Sequence, residues 1–373
     1  MLDSEAQNEI HNLLAWRSHL RGGATPQIAD LLNRSPAHPP LVDVKYSKWD
    51  VRIAAQTIPC HSVSALFDGA TLGIENRSVE VSLGSEILME SCAVEAECML
   101  FERNGASAND LLRAIPVYPY RTARAIFEGI VGVVPSHRFI CSICLLALQS
   151  TDPGDAFISI AKSCLSAGKE FDDAAELKRL KINSDDYIRD TVKKILAETL
   201  PSEIGPFAAR GHAGRGLARM LAWCNTLFEE RLKDSWFEIT ALDGTQSLAT
   251  LVELLRTMPV CPIIHEINAL EKREELLFFS EAEILQDHMN EIGAAQSLLH
   301  LSATHLAMSG NIVPTSSTCP RACFFVNVCQ APLALERSSV CQKAPWESFD
   351  HTAAYVCWYA AGVSAARARP NAE

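Results

Sequence analysis

Apolar residues recur every three or four positions along most of this chain, the spacing that lines up one face of an α-helix. Ile10, Leu13, Leu14 and Leu20 follow it behind a capping Ser4, and Gly22-Gly23 stops the run, which predicts a helix over 4–20. Thr25-Pro26 predicts a short helix to Asn33, because proline at the first helical position has no amide to leave unpaired. Further helices are expected over 85–103, with Ser85 capping and Gly105 past the end, and over 107–115. Residues 136–149 are apolar on nearly every face, the mark of a central buried helix. Alternation appears in Leu41 to Val44 and in Val79-Glu80-Val81-Ser82-Leu83, so a few short strands are expected between 41 and 83 and nowhere else.

After the turn cluster Thr151-Asp152-Pro153-Gly154-Asp155, the pattern to about residue 200 is helical and highly charged. Leu177, Leu180, Ile188, Val192, Ile195 and Leu196 form its apolar stripe, and the charges form a solvated face. Pro201 to Gly216 reads as a loop leading into helices over about 217–233 and 248–258. Two long amphipathic helices are expected at roughly 264–279 and 280–308, and a terminal helix with an aromatic stripe over 349–367. The expected fold is mainly α and multi-helical: two helical subdomains, minor β structure near 41–83, and a Cys-rich C-terminal module. The domains are 1–150 (N-terminal helical with minor β), 151–310 (helical), and 311–373 (the Cys-rich module packed on the second subdomain). More than one core is expected because 373 residues exceed the roughly 250–300 at which a single core stops growing.

Composition keeps this picture and narrows the function. Hydrophobic residues make up 48% and charged residues 21%, ordinary globular usage that argues against wholesale disorder. The 33 basic and 45 acidic residues give a net charge of -12, which repels nucleic acid and anionic lipid from most of the surface. Any nucleic-acid contact therefore needs a local basic patch. The stretch MLDSEAQNEI lacks the basic and apolar regions of a signal peptide, and no apolar run approaches the roughly 18 residues of a membrane span. A cytoplasmic protein with no membrane partner is expected.

Thirteen cysteines are many for such a chain. Cys60, Cys92, Cys98, Cys141, Cys144, Cys164, Cys224 and Cys261 lie scattered through apolar segments, as buried thiols would. Cys319, Cys323, Cys329 and Cys341 differ: they fall within 23 residues, separated by three, five and eleven positions. One helical turn would bring Cys323 over Cys319, with Pro320 in the first turn. These four are the candidate ligands of a structural zinc ion or a 4Fe-4S cluster, the missing interleaved histidine leaning towards the cluster. The competing reading makes them apolar positions of a helix that also holds Phe324, Phe325 and Val326.

The part from Cys319 to Cys329 is similar to the Fe-S-bearing nucleases of the restriction-endonuclease-like superfamily, whose closely spaced C-terminal cysteines hold a cluster. It departs from them by one extra residue between the first two cysteines. A strand-borne Asp followed by Glu-x-Lys, the nuclease site that the resemblance would imply, is not found.

Three other groupings carry chemistry-bearing residues. His137, Cys141 and Cys144 share one helix at i, i+4 and i+7, either facing one ion or forming part of an apolar core, the second being favoured. Glu281, His288 and Glu291, with Glu283 and Asp287 beside them, form half of a di-metal pattern or, as favoured, a solvated acidic face. In Arg210-Gly211-His212-Ala213-Gly214-Arg215-Gly216 and Arg219, a glycine-rich basic turn enters a helix. Arg210, Arg215 and Arg219 are the candidate anion or nucleic-acid contacts, against a flexible loop with surface arginines.

No G-x-S-x-G elbow, H-E-x-x-H pair or zinc-deaminase signature occurs. The expected function is a non-catalytic accessory or scaffold subunit of a larger assembly, docking a protein partner, with a zinc or iron-sulfur staple near its C-terminus. Nucleic acid is a further partner through the basic turn. The alternative is a metal- or iron-sulfur-dependent enzyme with a His/carboxylate site on the 265–305 helices, and the sequence names no catalytic residue for it.

Overall fold

A computed structural model describes residues 20–187 apart from 36, 54–55, 75–77 and 166–170. It also describes residues 211–244, 263–268, 273–278, 286–300 and 357–367, with a few single positions besides. These residues are mostly helical and include a small three-stranded sheet, in agreement with the mainly α expectation. The chain forms two compact units, one of Glu9–Asp186 with Asp234–Leu248, the other of Met1–Asn8, Tyr187–Lys233 and Ala249–Glu373.

In the first unit, Thr25 and Pro26 start helix α1 (Pro26–Asn33) as their chemistry requires. The Thr25 hydroxyl accepts from the Ile28 amide, and the proline occupies the first turn. Strands β1 (Leu41–Ile53), β2 (Gln56–Asp68) and β3 (Ser78–Leu83) form an antiparallel sheet in sequence order. β1 and β3 contain the two alternating stretches. β2 lies between them and has its own alternation in Val63, Ala65 and Phe67, all buried, which the serines and Pro59 around them obscure.

Helix α2 (Ser85–Arg103) follows β3 directly. Its N-cap is Gly84, where Ser85 was the expected cap, and position 84 has no room for a Cβ against the Leu20 carbonyl oxygen. α3 (Ala108–Ala114) and α4 (Thr122–Val131) come next, then α5 (His137–Leu148), capped by Ser136, whose hydroxyl accepts from the Phe139 amide at 3.2 Å. α5 is the central buried helix that its composition predicts, with every residue from Phe139 to Cys144 enclosed. α6 (Pro153–Leu165) and α7 (Asp173–Tyr187) follow. Leu177 and Leu180 of the charged segment turn inward, while Ile188, Val192, Ile195 and Leu196 lie outside the described residues.

The core of this unit runs from Phe67 and Val81 on the sheet through Ile87 and Leu88 of α2 to Phe127, Phe139 and Phe157. Phe127, Phe139 and Phe171 stack edge to face or tilted, with centroids 5.1–5.8 Å apart.

The second unit holds α8 (Gly211–Lys233). α9 (Phe237–Gly244), next along the chain, belongs to the first unit. β4 (Ile263–Asn268) and β5 (Arg273–Phe278) pair antiparallel, and α10 (Gln286–His300) and α11 (Trp358–Arg367) complete the described elements. Two expectations are corrected here. The segment 264–279, expected to be a helix, has its described residues paired as the antiparallel strands β4 and β5, so β structure is not confined to 41–83. Its short apolar runs fit either period, and Ile263, Ile264 and Ile267 are β-branched and follow Pro262, which favours the strand.

The glycine-rich turn is not a loop to Gly216 either, since α8 starts at Gly211. Glycine serves close packing in this unit: a Cβ at Gly216 would come within 2.0 Å of the Glu291 carbonyl oxygen, and one at Gly293 within 2.3 Å of the Trp358 ring. Ala213, Ala294 and Ala361 fill the same contact between α8, α10 and α11. The helix expected over 4–20, apart from Leu20, the helix expected over 248–258, and the 311–373 module, apart from residues 344 and 357–367, lie outside the described residues. No helix among the described residues is long and apolar enough to cross a membrane.

Candidate functional site

The densest group of ionisable side chains in the first unit centres on Glu95. The buried face of α2 comprises Ile87, Leu88, Ser91, Val94, Glu95, Cys98 and Met99, and Glu95 is the one carboxylate on it. Its side chain is 1% exposed. Arg124, from the first turn of α4, grips both oxygens, with Nε donating to Oε1 at 2.7 Å and Nη2 to Oε2 at 2.6 Å. His137, the first residue of α5, places Nδ1 2.6 Å from Oε2. Arg124 also donates to the Pro135 carbonyl at 2.8 Å, which ties the α4–α5 connection to the same point.

The electrostatics follow from this geometry. Burial alone would raise the Glu95 carboxyl, but hydrogen bonds from His137 and Arg124 and the guanidinium charge outweigh it and hold the group below its ordinary value. Arg124 is desolvated too, yet the Glu95 carboxylate raises its pKa further. Glu128, 3.6 Å from Arg124, is shifted up, because there burial outweighs the attraction of the guanidinium.

A histidine held by a carboxylate at Nδ1 is the base half of a nucleophilic triad, and Nε2 would then have to face a hydroxyl or thiol. Here Nε2 lies 3.6 Å from the Glu102 carboxylate. What the arrangement does chemically is bind α2, α4 and α5 together through a carboxylate, a guanidinium and an imidazole.

The thiols lie one turn along the same helices. Cys92 of α2 and Cys141 of α5 place their sulfurs 3.6 Å apart, and each sulfur sits 3.7 Å from the other residue's carbonyl oxygen. The Cys92 thiol raises that of Cys141, and burial adds to the shift. Burial also raises Cys144 well above its ordinary value and pushes Cys98 up to about 12, with the Glu95 charge adding to the latter. Cys164 is pushed up to about 11 by burial and then by Glu176. These are protonated thiols in an apolar core, the environment expected for them. His137 and Cys141 thus have separate partners on α2. Among the described residues, no group of three or more His, Cys, Asp or Glu side chains could hold a metal ion.

In the second unit, two residues from one predicted grouping meet one from another. Arg215 Nε donates to Glu291 Oε1 at 2.7 Å, and Arg219 donates to Oε2 from Nη2 at 2.9 Å and from Nε at 3.2 Å. The anion on these two arginines is the chain's own carboxylate. Glu291 is 8% exposed, so it does not belong to a solvated acidic face, whereas Arg215 and Arg219 are 51% and 31% exposed. Burial would raise the Glu291 carboxyl, and the two guanidiniums lower it below its usual range. His212 Nδ1 lies 3.0 Å from Arg215.

Arg210, Glu281, Glu283 and the side chains of Asp287 and His288 lie outside the described residues, as do Cys319, Cys323, Cys329 and Cys341. Within the 265–305 segment, residues 265–268 and 273–278 are in the paired strands β4 and β5. Reasoning from sequence missed Glu95. Its signal was available: it lies three residues after Cys92 and seven after Leu88, on a face otherwise apolar, where a charge needs a buried partner. Comparison with protein-family models, curated proteins and solved structures gives no match, so function rests on the residues themselves.

Proposed function

We propose that this chain is a non-catalytic accessory or scaffold subunit that docks a protein partner in the cytoplasm. Its C-terminal Cys319, Cys323, Cys329 and Cys341 would hold a structural zinc ion or a 4Fe-4S cluster. The observation that carries the docking reading is the shape of the β1–β2 hairpin. The two strands pair from Leu41↔Phe67 to Ile53↔Gln56, but β3 pairs only with Val63–Asp68. From Ser47↔Ser62 outward, the hairpin is therefore a two-stranded ribbon with no third strand among the described residues.

Two strands alone are marginal in water. Residues opposite one another in an antiparallel pair belong to the same face. In register, Trp49 pairs with Cys60 and Val51 with Ile58, and between and beside them Lys48 pairs with His61, Asp50 with Pro59 and Arg52 with Thr57, so apolar and mostly polar pairs alternate along the ribbon. Such a ribbon supports attachment to an apolar surface on another protein. The ion pairs described above agree with it, because they join helix to helix. Contact of nucleic acid with Arg215 and Arg219 would first have to displace Glu291, which places it second to protein docking.

The test is site-specific photo-crosslinking in the native host. A crosslinker at residue 51 should capture one protein reproducibly, and the same group at residue 52 should not. Equal or absent crosslinking from both positions would contradict docking. The staple is tested separately by metal analysis and absorbance of anaerobically purified protein. Stoichiometric zinc, or a band near roughly 400 nm from a cluster, is expected, with loss on Cys323→Ala. Folded, metal-free wild-type protein would overturn it.

A further inference from the structure

We propose that Cys92 and Cys141 are a modification site, closing into a reversible disulfide between α2 and α5 when the protein meets hydrogen peroxide. This inference does not depend on the docking reading. The sulfurs lie 3.6 Å apart, in contact, with no atom to displace between them, and each is anchored by the other residue's backbone carbonyl. The touching sulfurs have about 1.5 Å left to close to reach the roughly 2.05 Å of a disulfide. The two positions are unequal. Cys92 is partly open to solvent, whereas Cys141 is 1% exposed and its neighbour Cys144 is fully enclosed.

That asymmetry assigns the roles. A small oxidant can reach Cys92 first, and Cys141 is held where it can resolve the product. In the first step the Cys92 sulfur, having given up its proton, attacks one peroxide oxygen. The O–O bond breaks, hydroxide leaves and takes up a proton as water, and Cys92 becomes a sulfenic acid. In the second step the Cys141 sulfur attacks the Cys92 sulfur. The S–S bond forms, the S–O bond breaks, and the departing hydroxide takes the Cys141 proton as a second water. Two thiols lose two electrons and two protons, and one peroxide becomes two waters.

Cys141 is kept protonated by its surroundings, so closure should be slow beside a dedicated peroxide sensor. In a reducing compartment the pair stays open. Closure would join the two helices one turn from the Glu95–His137 contact, tightening the junction when the protein is oxidised.

The experiment treats the full-length folded protein with excess hydrogen peroxide, unfolds it, alkylates free thiols and identifies linked tryptic peptides by fragmentation. The expected result is one linked pair, assigned to residues 92 and 141, at a mass two hydrogens below the sum of the two peptides each alkylated only at its other cysteine, Cys98 or Cys144. It should disappear on treatment with dithiothreitol. Because each peptide contains a second cysteine, the link should persist in Cys98→Ser and in Cys144→Ser and vanish in Cys92→Ala. Sulfinic or sulfonic acid at Cys92 with Cys141 still alkylated would overturn the proposal, and so would a link from Cys92 to Cys144. A higher melting temperature of the oxidised wild type, absent in Cys92→Ala, is the second readout. An unchanged wild-type melting temperature after complete linkage would contradict the tightening.

Discussion

Glu95 and Glu291 are each a buried carboxylate gripped by two basic side chains, from two helices at Glu95 and from one at Glu291, and they differ in what surrounds the grip. Around Glu95 the partners are themselves enclosed, Arg124 at 13% and His137 at 17% side-chain exposure. Around Glu291 the arginines stand half or one third in water. Coulomb attraction and desolvation cost both grow as water is removed, so the first group is the one whose single loss should be felt most. Salt and water screen the second. Similar geometry therefore carries different energy.

The largest expected effect is at Glu95. Glu95→Gln leaves buried Arg124 with only the more distant Glu128 as counter-charge and should cost about 3–5 kcal/mol in urea unfolding, little changed by salt. A loss that shrinks strongly at high salt would make the two sites alike and break the comparison.

His38 sharpens the contrast as a buried ionisable group with no carboxylate beside it. Burial lowers it to about 4, its ring resting on Phe67 and its Nε2 3.1 Å from the Thr122 hydroxyl. The folded value lies below the ordinary 6.5, so the stabilising contribution is complete above that value and is lost as pH falls towards about 4. It amounts to about 3 kcal/mol over that window, and His38→Gln should flatten the slope there. Glu95 is also depressed, so its contribution is complete above 4.5 and lost below it, giving a second, more acidic step. A wild type and a His38→Gln variant with the same slope between pH 6.5 and 4 would refute the assignment.

In the second unit, Gly216→Ala would gain helix propensity yet should destabilise by about 1–3 kcal/mol, because the added methyl meets the Glu291 carbonyl. A stabilised variant would show that α8 and α10 do not approach so closely. The smallest effect is Glu291→Gln, about 1 kcal/mol at low salt and less at high salt.

Much of the first unit was legible because local chemistry and burial agree there. Thr25-Pro26 and Ser136 start helices as their side chains dictate, and the apolar run of α5 is central. What escaped was non-local. Gly84 and not Ser85 is the cap, and the absence of a Cβ there is required by Leu20, far away in sequence. The β4–β5 segment fits either periodicity over six residues, so its pattern could not arbitrate. Among the site residues, Arg215 and Arg219 were readable as anion binders, but not that Glu291, over seventy residues on, is what they hold. Glu95 needed the knowledge that α2 and α5 run side by side, with Cys92 opposite Cys141 and Glu95 opposite His137.

The central claim is that the Glu95 carboxylate holds helices together and is not kept for reaction chemistry. A double-mutant cycle tests it most directly, measuring unfolding free energies of wild type, Glu95→Leu, Arg124→Leu and the double variant. A structural lock predicts that each single change costs several kcal/mol, while the pair together lies close to wild type, a coupling as large as the two single losses combined, on the order of 6 kcal/mol. A carboxylate retained for function at the expense of stability predicts the reverse. Glu95→Leu alone would then be neutral or stabilising with no coupling to Arg124, and that result would contradict the account.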